Sequence, residues 1–268
     1  MNPEQILESV KYIKTRIGFS PKTGIILGTG LGALVEEIEI LHEIDYQEIP
    51  HFASSSVESH KGKLIFGQLN GVDCIVMQGR FHFYEGYSMK QVVFPVYVMK
   101  QLGIEKLLIS NISGSVNSAI KAGDLVIIND HINLHSENPL RGKNYDELGP
   151  RFPDMYAAYD ARLIAEAAEC ATANKIRFHH GIYVGLAGPN LETAAEYRYL
   201  RLIGGDCVGM STIPEVIAAN HLNLPAFAIS VITDEAFPLI PHKITIAEII
   251  QIAKETEPKL TRIMRALV

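Results

Sequence analysis

Thr23-Gly-Ile-Ile-Leu-Gly-Thr-Gly-Leu-Gly-Ala33 carries a short apolar run directly into a glycine-rich turn. Such a run, bounded by turn residues and apolar on both faces, is what a strand covered on both sides of a sheet requires. The theme recurs at residues 63–69, 72–77, 106–110, 124–128, 181–186 and 225–233. Asn70-Gly71 separates the second and third of these seven strands and is the strongest hairpin turn in the chain. Helical spacing occupies residues 90–102, 159–174, 193–203, 214–223 and 245–267, and an amphipathic stretch with Ile6, Val10, Ile13 and Ile17 lies within the first nineteen positions. Strands alternating with helices predict an α/β fold, and the lack of any Pro/Gly/Ser-rich linker predicts a single domain over residues 1–268. Residues 131–153, rich in Asn, Gly, Pro and His, are too long for a plain connector, and such loops act as lids or interfaces.

Composition narrows the function. With 268 residues, 47% hydrophobic and 20% charged, the chain sits in the ordinary globular range. A net charge of −6 excludes a broad basic field for nucleic acid. No apolar run approaches the ~18 residues of a membrane span. Cys74, Cys170 and Cys207 form no C-x-x-C pair, so neither a disulfide framework nor a zinc site is expected and a reducing cytoplasm is the expected compartment.

The chemistry concentrates at strand ends, where α/β folds place their ligands. Gly28-Thr-Gly-Leu-Gly-Ala33 fits the G-x-G-x-x-G/A dinucleotide pattern, with Asp45 as its acidic partner, and equally fits a simple anion-binding turn. Gln78-Gly-Arg-Phe-His-Phe-Tyr-Glu-Gly-Tyr87 sets Arg80, His82 and Tyr84 at alternate positions, so an extended backbone brings guanidinium, imidazole and phenol to one face. Arg and His suit an oxyanion through charge-assisted hydrogen bonds. Asn111-Ile-Ser-Gly-Ser115 reads as a turn after a strand. In Gly209-Met-Ser-Thr-Ile-Pro-Glu215 a hydroxyl pair precedes a helix opened by Pro214. Glu192 and Asp234 lie at strand ends and are expected to face one pocket, whereas Glu196 suits a helix start. His131 and His135, lacking a third ligand, read as structural rather than metal-binding.

Taken in order, Gly28-Thr-Gly-Leu-Gly32, His60-Lys-Gly62, residues 78–87, Asp130-His-Ile-Asn-Leu134, Asn138-Pro-Leu-Arg-Gly142, Ala187-Gly-Pro-Asn-Leu-Glu-Thr193 and Val208-Gly-Met-Ser-Thr212 resemble the trimeric purine nucleoside phosphorylases, a family that includes methylthioadenosine phosphorylases. The resemblance displaces the dinucleotide reading. It implies a mixed central sheet flanked by helices, and reversible phosphorolysis of purine (deoxy)ribonucleosides to free base and pentose 1-phosphate, with inosine and guanosine expected. It implies no metal or organic cofactor, phosphate being a co-substrate, and a homotrimer. By motif position it implies Thr29, His60, Arg80, His82, Ser113 and Ser211 for phosphate. It implies Tyr84 and Met210 for the ribose, Glu192 and Asp234 for the purine edge, and Leu191 and Val208 beside the base. It also implies that Phe152 reaches into a neighbouring subunit. His82, Glu192 and Asp234 are the residues expected to take part in the chemistry.

Two departures bear on substrate choice. Asp234 stands where many 6-oxopurine enzymes of the family carry Asn, so it must be protonated to donate to the base or ionised to accept from a 6-amino group. Ile246 stands where a His often meets the ribose 5′-hydroxyl, which favours an apolar 5′-substituent if it is buried. These keep a methylthioadenosine phosphorylase open as a second reading, beside a nucleoside- or phosphate-binding protein without turnover.

Overall fold

The central strand β1 (Thr23–Ile26) is buried throughout and lies parallel between β4 (Val72–Gln78) and β5 (Lys106–Ser115). The computed structural model describes residues 1–54, 61–236 and 245–268. Beyond β4 the sheet continues antiparallel through β3 (Lys63–Leu69) to the edge strand β2 (Glu39–Asp45). Beyond β5 come β8 (Cys207–Gly209), β7 (Phe178–Gly185), β6 (Leu125–Asn133) and β9 (Ala226–Glu235), and β9 returns to pair in parallel with β5. Five strands therefore close on themselves as a small barrel, from which β1, β4, β3 and β2 extend as a wing.

Period-two alternation explains how this sheet is covered. In β1, Ile26 packs into one core cluster and Ile25 into the other, and β5 divides Leu107 and Ile109 from Leu108 in the same way. The first cluster holds α1 (Pro3–Lys14), α2 (Met89–Leu102) and α5 (Ile213–His221). The second holds α3 (Ala161–Ala173) and α6 (Ile246–Ala266). The remaining helix, α4 (Ala194–Leu202), seats Leu200 on Val116, Val184 and Val208. A mixed sheet flanked by helices is thus the observed architecture.

The Asn70-Gly71 turn joins β3 to β4 with both residues at positive φ, 54° and 77°, as the tight hairpin demands. Two strands were not anticipated, β2 and β8. Two boundaries also need correction. Asn111–Ser115 is not a turn but the continuation of β5 alongside β9, and 131–133 belong to β6, so the irregular segment begins after Asn133. The glycine turn leads into a 3-10 helix (Ala33–Glu37) and then β2, not into the long helix of a dinucleotide-binding unit. No helix of the described residues is long and apolar enough to cross a membrane.

Candidate active site

A cavity of about 500 Å³ opens where β1, β4, β5, β8 and β9 end. The turn after β1 brings Gly28 and Thr29, and the segment after β4 brings Arg80, His82 and Tyr84. β5 contributes Asn111 to Gly114, and the stretch after β8 contributes Met210 and Ser211. Thr233 and Asp234 come from β9, and Ile246, Ile249 and Ile250 from the first turns of α6. Leu191, Glu192, Tyr197 and Val208 complete the wall. Gly28 is required because a Cβ there would lie 2.8 Å from the Cα of Asn111, where β1 and β5 run side by side.

Arg80 is 2% exposed, and its guanidinium is held on several sides. Nη1 donates to Thr212 Oγ1 at 3.3 Å and pairs with Glu215 Oε1 at 3.5 Å, while Nη2 donates to the carbonyls of Ile26, at 3.4 Å, and Ser110. Ile26 ends β1, Ser110 lies within β5, and Thr212 and Glu215 open α5, so the fold itself holds the cation. His82 lies beside it: Nδ1 is 3.0 Å from Glu85 Oε1, which also accepts the His82 backbone N–H at 2.8 Å, and the ring stacks on Tyr84. Burial, reinforced by Glu85, pushes the Tyr84 phenol up to about 12, so it remains a neutral hydroxyl.

At the other end sit two carboxyl groups. Burial raises the Asp234 carboxyl above its ordinary range, opposed by the Thr233 hydroxyl, which donates to Oδ1 at 3.0 Å. Burial also raises Glu192, the charge of Asp234 adds to the rise, and hydrogen bonds from the Glu192 backbone and the Tyr197 hydroxyl pull it back. Asp234 fits because Gly114 opposes it at a register shift between β5 and β9, and a Cβ on Gly114 would lie 2.7 Å from Asp234 Oδ2. The Ser113 hydroxyl is 2.5 Å from that of Ser230. Glu196 caps α4 reciprocally with Thr193, as its position at a helix start suggests, and so leaves Glu192 as the carboxylate on the cavity wall.

The structure brings together Thr29, Arg80, His82, Tyr84, Ser113, Leu191, Glu192, Val208, Met210, Ser211 and Asp234. His60 lies outside the described residues. Phe152 is not on this cavity but 87% exposed on the surface. Ile246 is not buried either: it is 70% exposed at the cavity lip. Sequence reading missed Tyr197, Asn111 and Glu215, whereas Thr212 is half of the hydroxyl pair expected before Pro214. Tyr197 was hidden as one more aromatic on an amphipathic helix, and the other two act through contacts that only the folded chain creates. Among the described residues no group of three or more His, Cys, Asp or Glu could hold a metal ion.

Comparison with known proteins is consistent with this geometry. The phosphorylase superfamily model matches residues 22–268. A protein of Geobacillus stearothermophilus named purine nucleoside phosphorylase 1 is 46% identical over 268 residues, covering 100% of this chain and 98% of that one. Its namesake in Bacillus subtilis is 45% identical over 265 residues, 99% and 98% of the two chains. Among solved structures, isoform 2 of the Schistosoma mansoni purine nucleoside phosphorylase, in complex with cytosine and ribose-1-phosphate, superposes with a TM-score of 0.93 at 38% identity, over 99% of this chain and 96% of that one.

Proposed function

Because the chain belongs to the phosphorylase superfamily and, within it, to the purine nucleoside phosphorylases, we propose that this cavity cleaves purine (deoxy)ribonucleosides reversibly with phosphate, releasing the base and (deoxy)ribose 1-phosphate. The observation that carries the reading is one cavity with the Arg80 cation and the His82 imidazole at one end and the carboxyl groups of Glu192 and Asp234 at the other. Along β5 the cavity wall runs from Asn111, whose amide donates to the same Thr212 hydroxyl as Arg80, to Gly114, which meets Asp234. Three residue steps of strand span roughly 10 Å, room for a ribosyl group between an anion and a base.

Thr29, His60, Arg80, His82, Ser113 and Ser211 bind phosphate beneath the sugar, and Tyr84 and Met210 contact the ribose. A phosphate oxygen forms a bond to the anomeric carbon as the bond from that carbon to the purine nitrogen breaks, its electron pair leaving with the base. Holding the anion beneath a carbon that is becoming positively charged supplies both proximity and countercharge. The departing purine gains negative charge, which a hydrogen bond from protonated Asp234 relieves, while ionised Glu192 accepts from the N–H of the pyrimidine edge. Leu191 and Val208 pack on the base. Phosphate is a co-substrate, and no metal or cofactor enters. The chain acts as one domain in purine salvage in the cytoplasm, as a homotrimer in which Phe152 closes a neighbour's cavity.

A second reading, methylthioadenosine phosphorylase, is favoured by one observation, the half-buried Ile249 and Ile250 on the cavity wall, to which the exposed Ile246 adds nothing. Inosine and guanosine remain the expected substrates. The deciding experiment follows base release from inosine, guanosine, adenosine and methylthioadenosine, each with and without phosphate. Phosphate-dependent release from the first two alone supports the primary reading, and release from the last two supports the second. Binding without release from any of them would leave a non-catalytic nucleoside-binding protein.

A further inference from the structure

Three helices of this chain begin with the same signature, a Thr followed three positions later by a Glu: Thr193-Ala-Ala-Glu196, Thr245-Ile-Ala-Glu248 and Thr212-Ile-Pro-Glu215. This is the capping-box pattern, in which the Thr hydroxyl accepts from the backbone N–H three residues on and the Glu reaches back to the backbone N–H of the Thr. In α4 and α6 both bonds form. In α5 neither does. Thr212 makes no side-chain cap, and Glu215 Oε1 faces Arg80 instead.

The diverted groups converge on the anion end of the cavity. Thr212 Oγ1 accepts from Asn111 Nδ2 at 2.8 Å and from Arg80 Nη1 at 3.3 Å, and lies 3.3 Å from Ser211 Oγ. A hydroxyl has two lone pairs and one proton. With both lone pairs occupied by these donors, its proton goes to Ser211 Oγ, which leaves the Ser211 proton to be donated into the cavity. The backbone is bent to the same end. Thr212 sits at φ 70°, ψ −53°, with the Ile213 N–H on the Ser211 carbonyl at 2.7 Å, the rare γ-turn geometry. A β-branched residue at positive φ is strained, and strain of this kind gathers at functional sites.

We propose that Thr212 and Glu215 are positioning residues for phosphate: together they fix the Arg80 guanidinium, and Thr212 also turns the Ser211 hydroxyl into a donor toward the bound anion. This rests on the assignment of Arg80 and Ser211 to phosphate. The test measures KM for phosphate and for inosine, together with melting temperature, in Thr212→Val, Thr212→Ser, Glu215→Gln and Arg80→Gln. Expected is a rise of about tenfold in phosphate KM for Thr212→Val and for Glu215→Gln, with inosine KM within about twofold of the parent, and near-complete rescue in Thr212→Ser, which restores the hydroxyl. Should the valine variant fail to fold, Thr212→Gly removes the hydroxyl while relieving the positive φ. It should melt no lower than the valine variant yet bind phosphate as poorly as the valine variant was expected to. Parent-like phosphate KM in the hydroxyl-free variants, or equal losses in both KM values that track lost stability, would overturn the proposal. If Arg80→Gln also leaves phosphate KM unchanged, the phosphate assignment itself fails; if Arg80→Gln raises it and the Thr212 variants do not, only the positioning role fails.

Discussion

Asp234 must meet a charge-rich purine edge from a site whose burial already raises its carboxyl above the ordinary value of 3.8. As a donor it works while protonated, so phosphorolysis of a 6-oxopurine should fall as pH rises through its raised pKa. Glu192, also raised, works as an acceptor while ionised, so activity should fall as pH drops through its own range. The two limbs belong to the pair, since the Asp234 charge is one of the causes raising Glu192. In Asp234→Asn the alkaline limb should vanish for inosine and preference should shift toward 6-oxopurines, read from kcat/KM against pH for inosine and adenosine. An unchanged profile would remove Asp234 from base recognition. The same shift carries a stability consequence. A carboxyl with its native pKa above its unfolded value binds more protons folded than unfolded between the two, so stability falls as pH rises across that window. Asp234→Asn should therefore melt higher than the parent at pH 7, by about 2–4 °C for each kcal/mol gained, with the gain shrinking toward pH 4. Gly114→Ala tests the placement from the other side. Its Cβ would stand 2.7 Å from Oδ2, and displacing Asp234 by about an ångström should cost on the order of 10²-fold in kcat/KM for the nucleoside while phosphate binding persists.

Helix α4 ties stability to the site through one junction, because its N-cap Thr193 directly follows Glu192. Thr193→Ala removes the capping-box hydroxyl at a cost of about 1 kcal/mol and frees the backbone that carries Glu192. Nucleoside KM should rise with phosphate KM unchanged, a split that steady-state kinetics reads directly; a rise in both would mean that α4 supports the whole cavity. The six helices and the long buried strands were legible because apolar periodicity and start signals coincide in them, as at Thr245-Ile-Ala-Glu248 and Asn70-Gly71. The strand β2 was not, because Glu39, Glu43 and Asp45 give an exposed edge strand the look of a loop. Residues 111–115 were read as a turn because Asn, Ser and Gly are what a strand carries where it faces a polar cavity and shifts register. The same logic divides the site. Arg80, His82 and Tyr84 announce themselves by spacing. Thr212 and Glu215 carry a helix-start signature, and only their geometry shows that this signature has been redirected to a neighbour.

For the whole molecule, the distribution of exposed aromatic surface bears on assembly. Phe152 and Tyr156 are 87% and 96% exposed, four residues apart in the irregular segment between β6 and α3, with the Arg151 guanidinium 5.7 Å from the Phe152 ring centre. Two large rings held in water forgo burial worth roughly 1.5–3 kcal/mol each, which a second copy of the chain would recover by covering them. The proposed homotrimer satisfies this and completes each cavity from outside, so assembly and nucleoside binding become linked: whatever binds only the assembled state stabilises it by mass action. Phe152→Ala should leave the cavity's own lining untouched while raising nucleoside KM by about tenfold and sparing phosphate KM, measured by steady-state kinetics. Sedimentation of the parent should give three chains per particle, and dilution should lower specific activity as the particle dissociates. A parent that sediments as one chain with full activity, or a Phe152→Ala enzyme with parent-like kinetics, would show that each chain completes its own cavity and that the exposed rings serve some other contact.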